Sequence, residues 1–144
     1  MIADVPDDER WDWYQFSSER DPMPIEDWLA KMKDEYPDHF LAIKDQLAQM
    51  QVTPFSEWED ERLFDPLEGE GGISEIRIDP PFYVNQRAFF YRIYGFADED
   101  RASYVFLHGT NKRRKNDEHG KSVAKKRLAE LYSGEAKARE ISLE

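Results

Sequence analysis

Ile25, Trp28, Leu29, Met32 and Tyr36 recur at i, i+3, i+4, i+7 and i+11, a spacing that predicts a helix with one apolar stripe. Pro37 cannot continue that helix but suits the opening turn of another, where Asp38 faces the positive end of the helix dipole. Phe40, Leu41, Ile43, Leu47 and Met50 supply the second helix with its buried side, so the two predict an antiparallel hairpin. Ahead of them, WDWYQFS (11–17) alternates and is rich in aromatics, as a short strand would be. Residues 53–72 are acidic and aperiodic and read as a linker ending at Gly71-Gly72. Period two then takes over in ISEIRID (73–79), RAFFYRIYGF (87–96) and ASYVFLHG (102–109), which predict three successive strands joined by residues 80–86 and by the acidic turn 97–100. A last helix is expected from about Asp117 to Ser133, with Val123, Ala124, Leu128, Leu131 and Tyr132 on its apolar face and Gly134 as its cap. Strand, two helices, three strands and a helix make an α+β domain over residues 11–134, between an acidic tail (1–10) and a C-terminal tail (135–144).

Parity along the strands sorts their side chains into faces. Ile76 and Ile78 oppose Glu75 and Arg77; Tyr91 and Ile93 oppose Arg92 and Tyr94; Val105 and Leu107 oppose Tyr104, Phe106 and His108. With the aliphatic sets against the helices, Arg77, Arg92, Tyr94, Tyr104 and His108 are expected together on an open face. Arginine forks bind phosphate and phenols stack on bases, so such a face suits RNA. Lys112, Arg113, Arg114 and Lys115 follow the third strand directly and extend the cationic surface. Each residue also has a plainer reading. Arg77 can pair with an acid across strands, Arg92 can snorkel among aromatics, His108 can be structural, and 112–115 can be a solvated loop. His39 and His119 read as helix-surface residues without a role.

Composition sharpens this picture. The chain has 144 residues, enough for one domain, and no cysteine, which excludes disulfides and thiolate zinc and fits a reducing compartment. No apolar run approaches the roughly 20 residues of a membrane helix, and MIADVPDDER does not resemble a signal peptide. A soluble cytoplasmic protein is expected. The net charge of −11 is polarised: residues 1–72 carry 20 acidic and 6 basic side chains, residues 73–144 carry 11 and 14. A local basic patch can therefore engage nucleic acid on an acidic protein. No His, Asp and Glu cluster has metal spacing, and Gly69, Gly71 and Gly72 form no phosphate loop. No metal or other cofactor is expected.

PMPIEDWLAKM, LEGEGGISEIRI, FFYRIYGF, YVFLHGTNKRRK and GKSVAKKRLAELYSG occur in that order behind the opening strand. In these pieces the chain resembles the HigB-like, phage-derived branch of the RelE/ParE toxin superfamily of bacterial type II toxin–antitoxin systems. The resemblance spans about residues 11–134. Its most specific parts are E-x-R at Glu75 and Arg77, Y-R-I at Tyr91 to Ile93, and L-H-G before the basic cluster. It implies a RelE-like α+β fold, with a helical hairpin on one side of a twisted antiparallel sheet. It also implies an mRNA endoribonuclease acting at the ribosomal A site, neutralised by a cognate helix-turn-helix antitoxin. Arg77, Arg92, His108 and Lys112 fall on the family's functional surface.

The chemistry expected is metal-independent: the RNA 2′-hydroxyl attacks the adjacent phosphorus and leaves a 2′,3′-cyclic phosphate and a 5′-hydroxyl. His108 is the candidate acid or base, Arg77 and Arg92 the charge stabilisers, and Lys112 the backbone clamp, while Tyr94, Tyr104, Arg113, Arg114 and Lys115 bind RNA. The alternative is a binding module without nuclease activity, either a gyrase-directed toxin or a phage or prophage interaction protein.

Overall fold

The computed structural model describes residues 10–60, 62–78, 83–84, 87–111, 117–141 and 143. Strand β1 (Asp12–Ser17) leads into helices α1 (Pro24–Glu35) and α2 (Pro37–Gln51). Strands β2 (Phe64–Pro66), β3 (Ser74–Ile78), β4 (Tyr83–Val84), β5 (Arg87–Ala88), β6 (Tyr91–Asp98) and β7 (Ser103–Asn111) follow, then helix α3 (Glu118–Ser133) and strand β8 (Lys137–Glu140). Six strands form one sheet in the order β2-β3-β6-β7-β1-β8, and β4 pairs with β5 as a separate ribbon. The sheet is mixed rather than wholly antiparallel, because β1 runs parallel to β7. The fold class is thus α+β, as expected.

Helices α1 and α2 both carry proline in the opening turn, where its missing N–H costs nothing. Met23 gives α1 no side-chain cap, and β1 supplies one instead: Gln15 Oε1 accepts from the amides of Ile25 (3.1 Å) and Glu26 (3.2 Å). Asp117 caps α3 through the amide of Gly120, and Gly134 ends it in the left-handed region at φ +84°.

The sheet has helices on both faces. Against α1 and α2 it presents Trp13, Ile76, Ile78, Tyr91, Ile93, Tyr104 and Phe106, which meet Ile25, Leu29, Ile43, Leu47 and Met50. Against α3 it presents Phe16, Ile73, Tyr94 and Leu107, which meet Ala124 and Leu128. Each large apolar side chain buried this way contributes about 1.5–3 kcal/mol.

Several expectations need correcting. Residues 137–141 are no tail, because β8 pairs with β1 and Ile141 is buried in the core. Leu41 and Tyr132, expected on the apolar faces of α2 and α3, are exposed. Residues 53–72 are no linker: they contain a 3-10 turn at Phe55–Glu57, strand β2 and the fully buried Trp58, whose Nε1 donates to the carbonyls of Met50 and Thr53. His39 is not a surface residue, because its Nδ1 lies 2.7 Å from the hydroxyl of Tyr91 inside the core. Tyr104 does not share the face of Arg92. Tyr94 pairs with His108 but Gly95 pairs with Phe106, so Leu107 is an extra residue in β7. That bulge reverses parity between Tyr104 and His108. Tyr104 and Phe106 therefore point into the hairpin core, and Val105 and Leu107 to the other side.

Candidate functional site

The face turned toward α3 carries two adjacent cross-strand rows. Glu75, Tyr94 and His108 form one; Arg77, Arg92 and Thr110 form the next. Cross-strand neighbours lie about 5 Å apart and diagonal ones about 7–8 Å, and His108 and Arg92 are diagonal neighbours on this face. The bulge at Leu107 brings His108 into phase with these residues.

Two arginines directly opposite each other would repel, and Glu75 sits between them. Its Oε1 lies 2.9 Å from Arg77 Nε and 3.9 Å from Arg92 Nε, and the carboxylate is almost fully buried. Arg92 is buried as well, with Nη1 donating to the carbonyl of Tyr91. Arg77 differs: its side chain is 36% exposed, and Nη2 reaches Asp65 on β2 at 2.7 Å. Arg77 is thus the cation this pair offers to solvent, and Arg92 stands behind it.

Tyr94 belongs to the expected face yet is fully buried beneath α3, and its hydroxyl donates to Asp117 Oδ2 at 2.9 Å. Burial and this carboxylate push its ionisation well above the ordinary tyrosine value. It is a support for the site rather than a stacking platform. Gly120 makes this packing possible, since a side chain there would run into the Asp117 carboxylate and the Tyr94 ring.

His108 is partly buried, and its pKa is pushed down to about 4. Burial is the main cause, followed by the positive charge of Arg127; Asp117 acts in the opposite sense. The imidazole is neutral at pH 7, a proton acceptor rather than a donor of charge. Among the described residues no group of His, Cys, Asp and Glu could hold a metal ion.

The structure therefore brings together four sequence-predicted residues, Arg77, Arg92, Tyr94 and His108, and sends Tyr104 to the opposite face. Lys112, Arg113, Arg114 and Lys115 lie outside the described residues. Asp65, Asp117 and Arg127 are part of the arrangement but were not anticipated. A signal existed for Arg127, a cation between Ala124 and Leu128 on the apolar side of α3.

No helix among the described residues is long and apolar enough to cross a membrane. Set against protein-family models, curated proteins and solved structures, the chain matches none.

Proposed function

We propose that this chain is the toxin of a type II toxin–antitoxin system, a RelE-like, ribosome-dependent mRNA endoribonuclease working in the cytoplasm without a metal. The observation that carries the reading is the alignment of Arg77, Arg92 and a neutral His108 in adjacent rows of one sheet face. The order of elements and the sequence resemblance support it. His108 takes the proton of the RNA 2′-hydroxyl, whose oxygen bonds to the adjacent phosphorus while the bond to the 5′-oxygen breaks. Water returns a proton to that 5′-oxygen. Arg77 binds a non-bridging phosphate oxygen, Arg92 reinforces the positive potential behind it, and Lys112 to Lys115 hold the backbone. His108→Ala and Arg92→Ala should each abolish growth arrest on induction while the protein stays folded. Toxicity retained by both variants would refute the site.

One observation favours a second reading. Both arginines already have carboxylate neighbours in Glu75 and Asp65, as they would in a binding module without nuclease activity. A gyrase-directed toxin would leave messages intact and trigger a DNA-damage response; the nuclease would leave codon-linked cuts. A cognate helix-turn-helix antitoxin is the expected partner under the first reading. Its acidic segment would engage the basic patch from Lys112 to Arg127, so binding should weaken with salt and with charge reversal at Arg113, Arg114 and Lys115. Insensitivity to both would move the contact to the hairpin at 25–50.

A further inference from the structure

Arg127 projects from α3 toward the sheet, its side chain only 16% exposed. Its Nη1 donates to the carbonyl of Leu107 at 2.7 Å, and its guanidinium carbon lies 5.3 Å from the centroid of the Phe16 ring. Its Nη2 is 3.8 Å from Asp21 Oδ2. Leu107 is the bulged residue of β7, the one whose extra length decides which face His108 takes. A bulge interrupts the ladder and leaves its backbone groups in need of other partners. We infer that Arg127 is a positioning residue: by holding the bulged Leu107 carbonyl it fixes His108 on the face that carries Arg77 and Arg92.

The same guanidinium sets a positive charge beside His108, and that charge disfavours the imidazolium. The other groups facing His108 are His119 on α3, which acts in the same sense, Asp117 at the N-terminus of α3, which opposes it, and Tyr94 across the strand pair on β6. Arg127 thus acts twice, through the backbone it holds and through its charge, and both actions leave an unprotonated imidazole aimed at the site. Its value for catalysis rests on the reading of His108 as general base.

The test is NMR of the His108 ring in the full chain, for the wild type, Arg127→Met and Arg127→Lys. In Arg127→Met, with circular dichroism showing a retained fold, the titration midpoint should rise from about 4 toward the ordinary 6.5, and cross-peaks between the His108 and Tyr94 rings should fade. Arg127→Lys should keep the midpoint low. An unchanged midpoint together with unchanged cross-peaks in Arg127→Met would overturn the inference. Should Arg127→Met fail to fold, an ordinary midpoint in Arg127→Lys would overturn it equally. RNA cleavage is scored separately: NMR changes in Arg127→Met together with a wild-type protein that cuts no RNA would sink the nuclease reading and leave the role of Arg127 in place.

Discussion

Glu75 is the residue on which the candidate site turns, because its one carboxylate lies between two arginines that face each other across β3 and β6. Removing a buried partner of this kind leaves charge uncompensated. Glu75→Gln should cost about 3 kcal/mol, read as a shifted urea midpoint. Asp65 is different, since its pair with Arg77 is open to water on both sides. Asp65→Asn should change stability by less than about 1 kcal/mol. It should nonetheless tighten RNA binding in a filter assay, because it frees an Arg77 fork that the carboxylate now occupies. Weaker binding by Asp65→Asn would mean that Arg77 does not meet RNA. E-x-R was legible as a same-face pair in the sequence; Asp65 was not, because its own strand β2 is three residues long and lies in a stretch without period.

At the scale of elements, α3 and the bulge in β7 decide what the sheet face offers. Gly120 tests this packing. On helix propensity alone Gly120→Ala should gain about 1 kcal/mol. The added carbon would meet the Asp117 carboxylate and the Tyr94 ring, so a net loss of about 1 kcal/mol is expected instead, by thermal melting. A stabilised variant would mean that α3 does not sit tightly on Tyr94. Both helices of the hairpin, α3 and the three long strands were legible, because periodicity is local and each carries enough of it. The bulge was not, since Tyr104 to His108 alternate without a break and only the pairing with Tyr94 and Gly95 exposes the extra residue. Strand β8 was hidden for another reason: Lys137 to Glu140 are all exposed on a sheet edge, where charge guards against aggregation and no apolar alternation is required. Trp58 was masked by its acidic neighbours.

For the whole molecule, the depressed His108 pKa links stability to pH. The folded value of about 4 lies below the unfolded 6.5, so between them the unfolded chain binds more protons. The contribution is complete above pH 6.5 and is lost as pH falls toward 4, by at most on the order of 3 kcal/mol. His39, lowered by burial, acts in the same direction. Urea melts from pH 7 to 5 should therefore show falling stability in the wild type and a shallower fall in His108→Gln. Equal slopes would mean that His108 is not held neutral by the fold. The polarised charge of the chain also belongs to this scale: on the proposed reading, the acidic N-terminal half would confine RNA to the face near β7 and α3, and binding should weaken as salt rises.

The most direct measurement is made on the products of the reaction. Purified protein is added to ribosomes programmed with a defined mRNA in the A site, and the ends of the message are analysed, with His108→Ala as the control. If His108 is the base of a nuclease, the wild type yields fragments with a 5′-hydroxyl on one side and a 2′,3′-cyclic phosphate on the other, and the variant yields none. Intact message under both proteins, or fragments of equal yield from His108→Ala, would contradict that role of His108.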